Sequence, residues 1–560
     1  METHGSPSTA SRPAVAPDDD WWRGAVIYQI YPRSFQDSSG NGIGDLHGII
    51  ERLAYVAGLG VDAIWLSPFF TSPMKDMGYD VSDYCNVDPL FGTLQDFSEL
   101  IARAHDLGLK VIIDQVLSHT SDEHPWFAQS RQTTDNRRAD WYVWADPRPD
   151  GTPPNNWQSV FGGSAWSWNA RRRQYYLHNF LSDQPDLNFH NPAVQDAVLD
   201  AVRFWPDLGV DGFRLDTVNY YFHDAALRDN PPLPPGAGPE ESDINTYGYQ
   251  DHLYDKTRPE NLAFLKRLRA LLDTYPDSTS VGEVGDERRS LRTMAEYTAG
   301  GDRLHMCYSF ELLGPIFSKA HVEACVTQFE EASQAFSGGA SWPCWAFSNH
   351  DVMRHVSRWA AGVTDRDRFA KLTAGLLLSL RGSVCLYQGE ELGLTEAELA
   401  FEDLTDPYGI AFWPEFKGRD GCRTPMVWQA GAPHGGFSTA QKTWLPVTEV
   451  HRHAAVDQQA SNPDSVLEHY RAFLRFRKSR PSLIVGDIRI LPSGEDIVAF
   501  SRTGRDEATL CVFNLSDGQR RFVLPAGLGA SAVSGHGFNA MFDGETVLMD
   551  GHQAFFAVLD

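Results

Sequence analysis

Apolar positions along this chain recur in two alternating rhythms. The run Ala25-Val-Ile-Tyr-Gln-Ile30 has the β-branched and aromatic content of a strand and ends just before Pro32. From Leu46 the spacing turns helical, with Ile49, Ile50, Leu53, Val56 and Leu59 on one side, and residues 61–66 then read as a second strand. The unit repeats as a helix over residues 94–107, stopped by Gly108, and a third strand over 110–114. Further strands are predicted at 212–216, 280–283, 304–308, 344–349 and 383–388. Strand-helix-strand order requires parallel pairing. Eight such strands predict an α/β fold, a (β/α)8 TIM barrel whose active site lies at the C-terminal strand ends.

Three connections are too long for plain loops. Residues 120–182 carry Trp126, Trp141, Trp144, Trp157, Trp166 and Trp168 among Pro, Gly and Asn, and predict an inserted domain between the third strand and its helix. A Pro-rich excursion spans 221–258, and a subdomain is expected over 390–450 after the eighth strand. The barrel then occupies 21–119 and 183–478. Beyond a helix at 465–478, short alternating stretches divided by Gly and Asp predict a C-terminal antiparallel β-sandwich over 479–560. Residues 1–20, rich in Ser, Pro and Ala without an apolar core, are expected to be a disordered tail and not a secretory signal.

Charge narrows the partners. A net charge of −26 leaves no basic excess to neutralise phosphates, which argues against nucleic acid. No run approaches a membrane span. Seven cysteines, an odd number set mostly in apolar runs, read as reduced thiols in a reducing compartment, so a cytoplasmic location is expected.

Carboxylates collect at the predicted strand ends: Asp114, Asp216, Glu283 and Asp351, with His119, Arg214 and His350 beside them. Arg214 and Asp216 share one face of a strand. Such a pair is either a salt bridge capping a sheet or a carboxylate delivered into a pocket and kept ionised by its arginine. Acids drawn from different strands, without a Ser-His arrangement, favour glycosidic-bond chemistry over acyl transfer. Separately, Asp37, Ser39, Asn41 and Asp45 space oxygen donors around three glycines. That loop reads either as a hard-cation site or as an Asx/Gly-rich turn without metal.

Five motifs in order, Asp114-Gln-Val-Leu-Ser-His119, Gln184-Pro-Asp-Leu-Asn188, Gly212-Phe-Arg-Leu-Asp216, Val281-Gly-Glu-Val284 and Phe347-Ser-Asn-His-Asp351, resemble the α-amylase family (glycoside hydrolase family 13). The resemblance runs from Trp21 to Asp560 and is to the α-glucosidase/oligo-1,6-glucosidase branch. It implies Asp216 as nucleophile, Glu283 as acid/base and Asp351 as transition-state stabiliser. It also implies sugar contacts from Asp80, His119, Arg214, Thr217, His350 and Arg423. The same resemblance implies a structural Ca2+ or Mg2+ at Asp37, Ser39, Asn41, the Ile43 carbonyl and Asp45, and no organic cofactor. Ser118 departs from the family's usual Asn before the His.

The expected activity is that of a retaining exo-acting α-glucosidase on maltose-like substrates, with transfer of glucose to sugar or alcohol acceptors. Retention would set the two acting carboxyls about 5–5.5 Å apart. Thr217 follows the nucleophile, where Thr resembles maltases and Val resembles α-1,6-cleaving enzymes. The alternatives are an oligo-1,6-glucosidase, a transglucosylase or isomerase acting on sucrose or trehalose, and a non-catalytic binding module. The retained acids weigh against the last.

Overall fold

A computed structural model describes residues 20–234 and 244–560. The expected tail lies outside the described residues except for Asp20, as do residues 235–243 of the Pro-rich excursion. Eight parallel strands form the central sheet: β1 (Val26–Ile30), β2 (Ala63–Leu66), β3 (Lys110–Gln115), β4 (Gly212–Leu215), β5 (Thr279–Val284), β6 (Met306–Ser309), β7 (Cys344–Trp345) and β8 (Ser383–Tyr387). Their order is β6-β5-β4-β3-β2-β1-β8-β7, and a parallel bridge from Cys307 to Pro343 closes the ring. This is the (β/α)8 barrel.

Period-two alternation decides which side chains enter it. Ile27, Trp65, Ile112, Val281, Met306, Tyr308, Cys344 and Cys385 pack together inside. Val26, Tyr28, Ile64, Val111, Ile113, Phe213, Leu215 and Leu386 pack outward with the helices. Because Phe213 and Leu215 face out, Arg214 and Asp216 must face in. Gly212 permits the close approach of β4 to β5: a Cβ there would stand 2.6 Å from Thr279 Cγ2 and 2.7 Å from its carbonyl oxygen.

The seventh strand is shorter than the expected 344–349. Chain from Ala346 onward leaves the ladder, and the Asn349 side chain accepts the Asp351 N–H at 2.9 Å, turning the backbone into the barrel mouth. The helix Leu46–Leu59 starts on Asp45, whose side chain accepts the Gly48 N–H, and stops at Gly60 in a left-handed conformation.

Between β3 and β4 the strands Trp144–Ala145, Trp166–Asn169 and Gln174–Leu177 form an antiparallel sheet over Val143, Trp157, Ala165 and Leu177. Four of the six tryptophans expected there are half-buried or exposed or sit in aromatic contacts with Phe127 and Trp126, and only Trp168 is markedly exposed, at 46%. The Pro-rich excursion packs on this sheet: Trp157 donates to the Arg228 carbonyl and Asn156 to that of Asn230. Asn245 donates to both the Val160 carbonyl and Tyr408 Oη, so the segments after β3, β4 and β8 meet over the barrel. At the C-terminus a five-stranded and a three-stranded antiparallel sheet enclose Ile497, Leu510, Val512, Phe522, Val547, Met549 and Phe555, a β-sandwich. Among the described residues no helix is long and apolar enough to cross a membrane. The cysteines are free; six are buried and Cys85 is partly exposed.

Candidate active site

Strands β4 and β5 lie side by side with Arg214 paired to Val281, and their ends carry Asp216 and Glu283 to one place. Arg214 is almost wholly buried and stands beneath both acids. Its Nη1 reaches Asp216 Oδ1 at 2.6 Å and Asp114 Oδ1 at 2.8 Å, and its Nη2 is ion-paired with Glu283 Oε1. Tyr308 on β6 accepts from Arg214 Nη2 and donates to Glu283 Oε1, both at 2.8 Å. The chain turns sharply after Asp216: Thr217 has φ +41°, rare for a β-branched residue and a mark of stored backbone strain. That turn aims the Thr217 N–H at Glu283 Oε2, 3.1 Å away, so one backbone corner fixes both carboxylates.

Arg214, the arginine expected to keep Asp216 ionised, touches both carboxylates. Burial and the neighbouring acids raise each carboxyl, Arg214 pulls each down, and the net is a rise to about 7 for both. Two acids held on one guanidinium do not ionise independently.

Asp351 behaves oppositely. Burial would raise it, but the cationic Arg419 and Arg423 beside it overcome that and hold it well below the usual carboxylate range. Arg419 Nη1 lies 3.1 Å from Asp351 Oδ1 and Arg423 Nη2 3.0 Å from the same oxygen. His350 is fully buried, stacked on Tyr79 with ring centroids 5.2 Å apart. Gln29 Nε2 donates to its Nδ1, which leaves the proton on Nε2, 3.2 Å from Asp351 Oδ2. Burial keeps this ring neutral.

A cavity of about 540 Å³ opens over these groups. Asp216, Thr217, Glu283, Asp351 and His119 line it, and so do Asp76, Tyr79, Gln184 and Arg419, none of which was selected from sequence as a site residue. Asp80 and Arg423 do not line it and are not paired with each other. Asp80 is completely buried and spends its oxygens on the Ser72 hydroxyl and the Lys75 and Asp76 amides. Arg423 is completely buried against the His350 carbonyl and Asp351. The pair that spans the cavity wall is Arg419–Asp76 at 2.8 Å, with Arg419 also on Asp406 at 2.8 Å. Both expected positions are thus four residues from the ones that reach the cavity. A signal was present, since Asp76 precedes the Gly78-Tyr79 turn and Arg419-Asp420 sits between Gly418 and Gly421.

His119 donates from Nε2 to the Tyr79 carbonyl, and burial lowers it to about 4, so it is neutral. Ser118, the family departure, puts Oγ 2.8 Å from His119 Nδ1 and 2.9 Å from Thr217 Oγ1. Thr217 Oγ1 is in turn 3.2 Å from Asp216 Oδ2. The shorter side chain therefore links the third and fourth strand ends directly.

The 37–45 loop lies apart from the cavity. Asp37 accepts from the Ser39 and Ser438 hydroxyls and the Gly40 and Gly42 amides. Asp45 accepts from Ser38, Ser39 and Gly48. Asn41 Oδ1 takes the Ile43 N–H. The donor set is all oxygen with two carboxylates, which fits a hard cation. Several donors now on those carboxylates are serine hydroxyls, which are free to rotate away.

Comparison with known proteins agrees with this architecture. The family model described as alpha amylase, catalytic domain, matches residues 29–486. A probable alpha-glucosidase of Rhizobium meliloti (strain 1021) is 59% identical over 548 residues, covering 97% of this chain and 98% of its own. An oligo-1,6-glucosidase of Heyndrickxia coagulans is 38% identical over 540 residues, covering 90% and 94%. The solved structure of an alpha-glucosyl transfer enzyme, XgtA, has 57% identity and a TM-score of 0.92, covering 97% of this chain and 100% of its own. The trehalulose synthase MutB from Pseudomonas mesoacidophila MX-45 has 30% identity and a TM-score of 0.85, covering 98% and 100%. With the barrel, the strand-end acids and these matches together, the chain belongs to the alpha-amylase family of glycoside hydrolases, in its α-glucosidase/oligo-1,6-glucosidase branch, and is an enzyme of the α-glucosidase class.

Proposed function

We propose that the enzyme removes the non-reducing terminal glucose from short maltose-like substrates with retention, and passes it to water or to a sugar or alcohol acceptor. The observation that carries this reading is the pairing of Asp216 and Glu283 on one guanidinium in the cavity, with Arg419 tying Asp351 to Asp76 across its wall. Asp216 attacks the anomeric carbon as the glycosidic C–O bond breaks, and Glu283 gives its proton to the departing oxygen. The resulting β-glucosyl ester is opened by water or an alcohol, whose proton returns to Glu283. Asp351, held ionised by its arginines, grips sugar hydroxyls as the ring flattens. Asp76, Arg419 and His119 bind the same glucose, and the Arg419 network closes that side, which favours attack at a chain end.

Thr217 lines the cavity beside Asp216 and supports a lean towards α-1,4 linkages. Tyr220 and Tyr247, from the segment after β4, also line the cavity and support short substrates. The test is a panel of maltose, isomaltose, sucrose, trehalose and maltodextrins, with the first-formed glucose anomer read by NMR. We expect the highest kcat/KM on maltose, α-glucose released first, and transfer products at high substrate. Release of β-glucose would overturn retention, and equal kcat/KM on long maltodextrins would overturn the short-substrate reading.

We also assign the 37–45 loop a structural Ca2+ or Mg2+, with Asp37, Ser39, Asn41, the Ile43 carbonyl and Asp45 as the oxygen donors. Such an ion would stiffen the loop after β1 and take no part in the chemistry. Chelation is expected to lower Tm by roughly 2–5 °C, reversed by Ca2+. An unchanged Tm on chelation of freshly purified protein, and on adding Ca2+, would leave the loop as a plain turn. The seven free thiols support a reducing compartment, the cytoplasm.

A further inference from the structure

Glu311, His321 and Cys325 form a second cluster of chemistry-bearing side chains, apart from the carboxylate centre. Their ligand atoms all lie within 4.8 Å of one another. The fold builds the group from two elements. Glu311 opens the short turn after β6, at the mouth of the barrel, and His321 and Cys325 stand four residues apart on the helix Lys319–Ser337, hence on one face. His321 Nε2 is 3.7 Å from Cys325 Sγ. A tetrahedral Zn2+ with ordinary Zn–N and Zn–S bonds holds two such ligands about 3.6 Å apart. Glu311 uses Oε1 to accept the Ser290 hydroxyl, and its main-chain oxygen lies 2.9 Å from His321 Nε2. Glu311 and His321 line the cavity, while Cys325 is buried and does not.

Imidazole, thiolate and carboxylate make a borderline-soft donor set, unlike the all-oxygen loop at 37–45. We propose that Glu311, His321 and Cys325 bind a Zn2+ ion at the mouth of the cavity, leaving one coordination position turned towards it, and that the bound ion inhibits the enzyme. On binding, the Cys325 S–H bond is replaced by S–Zn and the proton leaves to solvent. His321 gives up its bond to the Glu311 carbonyl and coordinates through Nε2 as the neutral ring. No electron is transferred. The ion and its water then stand where an incoming or departing sugar passes.

The test loads the wild-type chain, Cys325→Ser and His321→Gln with ZnCl2 in the presence of excess Ca2+, desalts them and measures bound zinc, then repeats the loading with Co2+. We expect about one zinc per wild-type chain, a cobalt-thiolate charge-transfer band, and loss of both in each variant. Cys325 does not touch the cavity, so Cys325→Ser should keep its basal activity and lose zinc inhibition. His321 is only partly buried, so His321→Gln supplies a folded comparison if the buried substitution lowers the yield. Equal zinc retention in all three chains, no retention in the wild type, or undiminished inhibition of Cys325→Ser would overturn the proposal.

Discussion

Replacing Asp216 by Asn is expected to lower kcat/KM on maltose by on the order of 10⁵-fold while leaving Tm nearly unchanged. Asn keeps the shape of the side chain and can still accept from Arg214, whose guanidinium retains Asp114 and Glu283. What disappears is the oxygen that bonds the anomeric carbon. Glu283→Gln tests the other half of the reaction. Its loss on maltose should be roughly 10³-fold, and much smaller on an aryl α-glucoside whose leaving group departs without a proton. The pH profile follows from the same pair. Both carboxyls are raised to about 7, and the reactive form carries one proton, on Glu283. As pH falls, Asp216 is protonated and ceases to be a nucleophile; as pH rises, Glu283 loses the proton it must give. Wild-type kcat/KM should therefore be bell-shaped with its maximum near neutrality, and the alkaline limb should vanish in Glu283→Gln on the aryl substrate. Wild-type-like turnover in Asp216→Asn would sink the mechanism.

Asp76→Asn is expected to raise KM and lower kcat/KM on maltose by roughly 10²-fold, and Arg419→Ala by roughly 10³-fold. Arg419 is paired with Asp76, Asp351 and Asp406, so its removal leaves Asp76 and Asp406 without that cation and Asp351 with Arg423 alone. Part of its effect will be lost stability, on the order of 3–5 kcal/mol when a buried pair is broken. Asp76→Asn separates the two contributions. Arg419 keeps Asp351 and Asp406 there, so Tm should move little while the sugar contact weakens. Asp80→Asn is the contrast: Asp80 braces the turn that carries Asp76 from behind, so its substitution should act on Tm as well as KM. Wild-type kinetics in a folded Asp76→Asn would remove Asp76 from the sugar site.

The barrel was legible because its signals are local. Strand content, helical spacing and Gly stops each declare themselves within a dozen residues, and eight alternations admit few architectures. Period two along residues 212–216 was enough to put Arg214 and Asp216 on one side, and five family motifs named Glu283 and Asp351 as their companions. Boundaries were legible only where pairing continues. The seventh strand stops at Trp345 because Asn349 turns the chain inward, a contact between side chain and backbone that apolar pattern does not encode.

The opening choice for Arg214–Asp216, salt bridge or delivered carboxylate, resolves into both. Arg214 is bridged to Asp216, and equally to Asp114 and Glu283, so it gathers the acids without distinguishing them. Sequence by itself determined the fold class, the family and the acids at the strand ends, since these follow from short-range periodicity and from motifs read in order. Tertiary structure alone decided that Asp76 and Arg419 reach the cavity while Asp80 and Arg423 brace it, and that Ser118 meets Thr217. Which of two like charges four residues apart faces the solvent-filled space depends on turn geometry and on partners hundreds of residues away, and burial and Coulomb energy are set only once the chain has closed.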